Sequence, residues 1–394
     1  MHMIDCVIGC SFGDEGKGKV VFDLLQHGNY NLCVRFNGAG NAGHTIYLPI
    51  QNIEDANIKD EKIMEYGSID SENDRQYLRP VTVHQLPVGV LKKGVYNLIA
   101  SDCVVNVDKI LDELEYVQNV LGIETKGRLM ISRACHVITS DMIEYDRQHN
   151  KVGTTGSGVG PTYAHKMFRD GIRVDDGYTK QRLEDAGVVV VDMRNFWYSS
   201  FVRSEIQDVL MEGAQGFELD INWTDNYPFC TSSTCTLGGA VNTGFPLQGL
   251  RDVYGVTKAY DTYVGYMNFQ PDFDEDIETL CTKGNEYGST SGRKRQCNYM
   301  NLGNLIQALR LNNCNQCIIN KVDIIQDTCI FKLYDYDLSD EVRSSNCTLT
   351  NTQQTQILHS FVSWLDMRKY IIDRIHYSTS VEQIIFSGNP YSIE

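Results

Sequence analysis

Positive charge is scarce in this sequence. Lys and Arg number 35 against 51 Asp and Glu, for a formal net charge of −16. A general nucleic-acid binder, or a protein that docks on an anionic membrane, needs a basic surface, so both classes are disfavoured. Small anionic ligands stay open, because a local cluster of Lys and Arg overrides the global sign. No apolar run approaches the roughly 18 residues of a membrane span. The chain enters an apolar strand almost at once, without a secretory leader pattern, and a cytoplasmic location is expected. The 13 cysteines are scattered. Cys314 and Cys317 form one CxxC with no second pair at zinc-finger spacing, while Cys6, Cys10, Cys33 and Cys103 lie in or beside apolar segments. Buried thiols in a reducing compartment are the expectation. There is no internal repeat and no clear linker, so one domain over 1–394 is expected.

What is present alternates. Short β-branched runs (Cys6-Val7-Ile8, Val188 to Val191, Cys317 to Ile319, Gln383 to Phe386) are interleaved with helical spacing. Ile110, Leu111, Leu114, Val117 and Leu121 mark a helix face over Asn106 to Leu121, closed by Gly122. Leu358, Phe361, Val362 and Leu365 give a similar expectation over Ile357 to Ile372. The alternation predicts an α/β fold with a mostly parallel central sheet flanked by helices. The polar stretches Gln51 to Pro80 and Asp335 to Gln356 read as surface insertions.

Gly9-Cys-Ser-Phe-Gly-Asp-Glu-Gly-Lys-Gly-Lys19 follows the first apolar run. A strand, a glycine turn and a helix make a P-loop-NTPase-like layout. Gly13, Gly16 and Gly18 sit in the turn, Lys17 and Lys19 add charge, and N–H groups at the helix start point at a phosphate. The spacing is not that of the common P-loop, and Asp14 and Glu15 stand in the middle of the turn. Arg35-Phe-Asn-Gly-Ala-Gly-Asn-Ala-Gly-His-Thr45 places Asn41, Gly43 and His44 in a loop where backbone can approach a ligand closely. Gly153-Thr-Thr-Gly-Ser-Gly158 suits a second phosphate, with Lys166, Arg169 and Arg173 at helical spacing behind it. Gln215 lies between glycines in Glu212-Gly-Ala-Gln-Gly216 and can meet a base edge, with Thr231 following in Tyr227 to Ser233. In Glu286 to Arg295, Gly, Ser and Thr suggest mobility, and Arg293 and Arg295 can clamp carboxylates. Asn320-Lys321-Val322-Asp323, after an apolar strand, can set Asp323 on the N1 and N2 donors of guanine, with the Lys321 stem over the ring.

In this order, these segments resemble the adenylosuccinate synthetase family, from about Ile4 to Pro390. The resemblance implies joining of aspartate to C6 of a purine nucleotide at the expense of a nucleoside triphosphate. It implies Asp14 as the base at N1, His44 as stabiliser of the phosphoryl group in flight, Lys17 on phosphate and Gln215 on O6. Asp14 and the Gly43 carbonyl would hold Mg2+. Asn41, Thr155 and Thr231 match nucleotide-phosphate contacts. Arg169 matches an arginine that crosses a homodimer interface, and Arg293 and Arg295 match the loop that captures aspartate. Lys321, Asp323, Ser387 and Gly388 match the guanine site for GTP, with ATP open in its place. Gly-Thr-Thr-Gly-Ser-Gly, Gln-Gly-Phe and the short stretch between Arg173 and Glu212 resemble the compact archaeal branch, related to viral enzymes that succinylate a guanine nucleotide. Asp14 is kept here, where those viral enzymes carry a small hydroxyl residue. Departures surround the base and aspartate sites: Asn37, Gly40, Tyr263, the Gly265-Tyr-Met-Asn-Phe-Gln-Pro-Asp272 run, and Gln-Cys-Asn-Tyr after Arg295. Inosine monophosphate, guanylate and deoxyguanylate therefore stay open as substrates, as does a guanine-nucleotide-binding protein without synthesis.

Overall fold

A computed structural model describes residues 2–50, 64–66, 76–288, 292–336 and 356–393. Its centre is a nine-stranded sheet. In spatial order the strands are Val189–Val191, Leu129–Ser132, Tyr96–Ile99, Tyr30–Arg35, Asp208–Glu212, Ile4–Gly9, Leu250–Lys258, Gln316–Asn320 and Gln383–Ser387. Every neighbouring pair is parallel. The expected mostly parallel sheet is thus met, and the four apolar runs all form strands.

A parallel sheet needs cover on both faces. Ile4, Cys6 and Ile8 pack with Leu32, Val34 and Met211 on one side. Val7 packs with Cys33, Leu210 and Val256 on the other. The period of two thus serves two cores rather than one core and solvent. The described cysteines are free thiols, nearly all buried, as expected, with Cys329 exposed.

From the first strand the chain builds outward through Tyr30–Arg35 to Val189–Val191. It then returns to insert Asp208–Glu212 beside Ile4–Gly9 and continues on the opposite side. The order reverses at these two central strands, and ligand crevices open at the carboxyl ends of strands at such a point. The glycine turn after Gly9 and the Gly213 to Gly216 turn both leave from there.

Three smaller sheets are present among the described residues, one of them the two-stranded pair Val104–Val105 and His136–Val137. His44–Ile50, Gln76–Val83 and Met64–Tyr66 form an antiparallel sheet, so the described part of the 51–80 insertion extends the strand that starts at His44. The remainder of that insertion, and most of the polar stretch from Asp335 to Gln356, lies outside the described residues. Tyr260–Tyr263, Gln296–Asn301, Lys332–Tyr336 and Gln356–Ser360 form the third sheet.

Two helix expectations need correcting. The helix expected over Ile357 to Ile372 is a strand, Gln356–Ser360, followed by a helix, Trp364–Ser378. Ser363 caps that helix by accepting the Asp366 N–H, and Ile357 and Leu358 pair across to Asp335 and Tyr334. Short apolar runs do not separate strand from helix by spacing alone. Lys166, Arg169 and Arg173 do not share a helix face. The helix Val159–Phe168 stops at Arg169, which takes a left-handed conformation at φ 69. By contrast, the helix expected over Asn106 to Leu121 is present as Val107–Asn119, with Asn106 accepting the Lys109 N–H.

Candidate active site

The turn between Gly9 and the helix Lys17–His27 is organised by its second acid. Glu15 is fully buried. Its Oε1 accepts the N–H groups of Ser11 at 3.1 Å and Gly13 at 2.8 Å, and its Oε2 takes the Lys17 ammonium at 2.6 Å. Lys17 also donates to the Gly13 carbonyl at 3.1 Å. The turn thus closes on itself around an internal ion pair. Buried charges persist when paired and hydrogen-bonded. Asp14 has a different position. Its Oδ2 is 2.9 Å from Arg295 Nε and 3.5 Å from Lys258 Nζ, and it accepts the Thr262 hydroxyl. Glu286 holds the same two cations from behind, at 2.5 Å from Arg295 and 3.2 Å from Lys258. Burial works against the Glu286 carboxylate, but Lys258, Arg295 and Lys321 outweigh it and hold it at about 2.

Glycines let the segments interlock. A Cβ at Gly18 would stand 2.8 Å from the His44 Cβ, and one at Gly13 would stand 2.9 Å from the Gln215 Cα. Gln215 itself holds a positive φ of 56, a costly conformation that tends to persist where function requires it. Its amide donates to Asn41 Oδ1 at 3.2 Å. Asn37, one of the departures, stitches the same region: its side chain bonds Ala214 through both N–H and C=O, and the Thr234 carbonyl.

His44 is buried with Nδ1 2.6 Å from Glu212 Oε1. Glu212 also takes Arg35 NH1 at 2.8 Å and the Val88 N–H at 2.7 Å. Burial first, then the Arg35 charge, pushes the His44 ring down to about 4 against the partial offset of Glu212. Burial pushes Glu212 up, but the His44 hydrogen bond, Arg35 and Val88 prevail and hold it at about 2. The pair at neutral pH is therefore a carboxylate and a neutral imidazole.

These groups surround one cavity of about 360 Å³. Gly13, Asp14, Gly16, Lys17 and Gly18 line it from the first turn, and Asn41, Gly43 and His44 from the second loop. Thr155, Gln215, Thr231, Arg293 and Arg295 also line it. Phe12, Leu219, Phe229 and Tyr263 add apolar wall. Arg293 NH1 donates to the Gly153 carbonyl at 3.1 Å, bridging two loops of the rim. His44 Nε2 and Gln215 Oε1 are buried without a protein hydrogen-bond partner among the described residues.

The remaining expected residues lie elsewhere. Lys321, Asp323, Ser387 and Gly388 gather at the ends of the next two strands, where a Cβ at Gly388 would come within 3.1 Å of the Asp323 Cβ. Lys19 turns toward this second group, donating to Ser387 Oγ at 2.9 Å and the Asn389 carbonyl at 2.8 Å, and burial lowers it to about 8. Lys321 Nζ is on the Gly284 carbonyl at 3.0 Å. Arg169 is not part of the cavity lining. Sequence reading notes Glu15 without giving it a role, and assigns none to Glu212, Lys258 or Glu286. Glu212 and Glu286 open motifs that were noticed for other residues, and a buried carboxylate has no sequence signal of its own.

A parallel sheet with a glycine-turn helix at its switch point, and a cavity lined by Lys17, Arg293, Arg295, hydroxyls and the carboxylates Asp14 and Asp146, defines an α/β protein with a phosphate-loop type of site. Comparison with known proteins goes further. A family model described as adenylosuccinate synthetase matches residues 6–58, 76–208 and 189–371. The adenylosuccinate synthetase of Alkalilimnicola ehrlichii is 33% identical over 364 residues, covering 82% of this chain and 77% of that protein. That of Brugia malayi is 31% identical, covering 84% and 79%. The chain belongs to the adenylosuccinate synthetase family and is a C–N ligase of that type. Two solved structures share the fold. A fully ligated adenylosuccinate synthetase from Plasmodium falciparum has a TM-score of 0.73 at 23% identity, covering 98% of this chain and 97% of its own. The succinoaminodeoxyadenylate synthetase of cyanophage S-2L, bound to dGMP and dATP as an energy donor, has a TM-score of 0.67 at 15% identity, covering 100% and 94%. Among the described residues, no helix is long and apolar enough to cross a membrane.

Proposed function

We propose that this protein joins L-aspartate to C6 of inosine monophosphate, using GTP and giving adenylosuccinate. We further propose that it works as one domain over 1–394, as a homodimer in the cytoplasm, with Arg169 reaching the neighbouring subunit's nucleotide. The observation that carries the reaction is the convergence of Asp14, His44 and Gln215 on one cavity from three separate segments.

Asp14 takes the proton from N1 of the 6-oxopurine, and O6 attacks the γ-phosphorus while the bond to the leaving diphosphate breaks. Gln215 holds O6, and His44, taking up a proton at Nε2 as the phosphates enter, steadies the phosphoryl group as it passes. The amine of aspartate, held by Arg293 and Arg295, then adds at C6 and expels the phosphate, and its proton leaves to solvent. Asn41, Thr155 and Thr231 hold the monophosphate. Lys17 and the turn of Gly13, Gly16 and Gly18 hold the triphosphate chain, with Lys321, Asp323, Ser387 and Gly388 around the guanine. Asp14 and Gly43 both line the cavity, and a carboxylate and a backbone carbonyl suit Mg2+, which takes few protein oxygens and completes its shell with phosphate and water. Asp14 and Gly43 would hold it, and it would neutralise charge building on the phosphates.

A substrate panel tests this reading. Purified protein, Mg2+, aspartate and GTP or ATP are mixed with inosine monophosphate, guanylate or deoxyguanylate, and products are weighed by mass spectrometry. A succinyl adduct on inosine monophosphate is expected. An adduct on a guanine nucleotide alone would replace this substrate with that of the diaminopurine-forming enzymes. No adduct on any of them would leave nucleotide binding without synthesis.

A further inference from the structure

We propose that Glu212 is a positioning residue that fixes the ring plane and the tautomer of His44, so that Nε2 is the one ring nitrogen left for the transferring group. The identity of that group rests on the function proposed above. The placement of the ring does not.

The distances decide the tautomer. Glu212 Oε1 is 2.6 Å from His44 Nδ1. Two lone pairs facing each other at that separation would repel, so Nδ1 carries the proton and donates it. Arg35 NH1 lies 3.3 Å from the same nitrogen and 2.8 Å from Glu212 Oε1, and a protonated Nδ1 has no lone pair left to accept from it. Arg35 therefore serves the carboxylate and not the ring. Glu212 cannot swing away, because its other oxygen accepts the Val88 N–H at 2.7 Å. It stands at the end of the central strand Asp208–Glu212, whose register is set by parallel pairing on both sides. The base of the side chain is confined by Gly18, where the helix backbone passes so close that a Cβ would stand 2.8 Å from the His44 Cβ. What remains is Nε2, buried, without a hydrogen-bond partner among the described residues, on a residue that lines the cavity. A hydrogen-bonded partner on one ring nitrogen sets which way the other faces, as in metal-ligating histidines held by a carboxylate.

Nitrogen NMR of histidine-labelled protein tests the placement directly, with the His44 signals assigned by their loss in His44→Asn. A proton on Nδ1 coupled to Glu212 is expected, and a ring whose only proton sits on Nε2 in the wild type without nucleotide would overturn the proposal. Kinetics test the consequence. Glu212→Gln should lower kcat about 10- to 100-fold, with the KM values for both nucleotides moving less than about 3-fold. In the His44→Asn background the same change should cost less than about 3-fold, because it acts through a ring no longer there. An equal loss in both backgrounds would assign Glu212 to Arg35 and the fold alone, and overturn the proposal. Should Glu212→Gln fail to fold, the wild-type tautomer still decides. If the wild type forms no succinyl adduct yet shows the Nδ1 proton on Glu212, the function proposed above falls and the positioning stands.

Discussion

Arg295 Nε lies 2.9 Å from Asp14 Oδ2. The group proposed to remove the N1 proton is therefore ion-paired with a group proposed to capture aspartate. Glu286, fully buried, anchors Arg295 from the other side. The residues proposed for proton removal and for amine delivery thus share one charge network.

Asp14→Asn separates these roles. The amide still accepts the Thr262 hydroxyl but takes no proton. Ligation should disappear while triphosphate affinity measured without Mg2+ stays within about 3-fold. Product mass and a nucleotide titration check the two halves. Normal turnover in that variant would remove Asp14 from the mechanism.

Gly18→Ala sets two effects against each other. Alanine gains about 1 kcal/mol of helix propensity over glycine. The new methyl would stand 2.8 Å from the His44 Cβ, so the histidine must give way. The expected outcome is a melting temperature near that of the parent with kcat down at least about tenfold. Unchanged kcat would mean that His44 tolerates displacement.

Gln296, directly after Arg295, ties one loop of the rim together. Its Nε2 donates to the carbonyls of Gly265 at 3.1 Å and Met267 at 2.8 Å. Its Oε1 accepts the N–H groups of Phe269 at 3.0 Å and Gln270 at 3.2 Å. Tyr266 of that loop rests against Gly153, next to the hydroxyls proposed to hold the monophosphate. Gln296→Ala should cost roughly 2–4 kcal/mol of stability. It should raise KM for the monophosphate more than it lowers kcat, which denaturant melts and steady-state kinetics can read.

Glu218 makes stability depend on pH. Burial first, then the nearby Asp261 and Asp225, raises its carboxyl from 4.5 to about 8. Between those values the unfolded chain releases this proton and the folded protein keeps it. The unfolded state therefore binds fewer protons, and the contribution to stability falls as pH rises, levelling off above about 8. Glu218→Gln should be more stable than the parent by on the order of 2 kcal/mol near pH 8, with the gap closing toward about pH 4.5. Equal melting curves across that range would mean that Glu218 ionises normally in the folded state.

The parallel α/β sheet was legible because it is written locally. Runs such as Cys6-Val7-Ile8 and Cys317 to Ile319 suit strands covered on both faces, and the turn glycines end them. The segments around Asp14, His44, Gln215 and Arg295 carried the family resemblance because each is short and contiguous. The helix misplaced over Ile357 to Ile372 failed for the opposite reason. Ile357 and Leu358 became strand through pairing with Tyr334 and Asp335, more than twenty residues away in the chain.

The sequence by itself determined which residue types stand at the carboxyl ends of the central strands. Tertiary structure decided which of two adjacent acids faces the cavity and which serves the backbone. Asp14 and Glu15 are neighbours in the chain, yet Glu15 closes the turn on Lys17 while Asp14 meets Arg295 and Thr262. It also decided that Glu212, on a strand far from His44 in sequence, would orient that ring. Hydrogen bonds act over about 3 Å, and only the folded sheet brings groups so far apart in the chain to that distance.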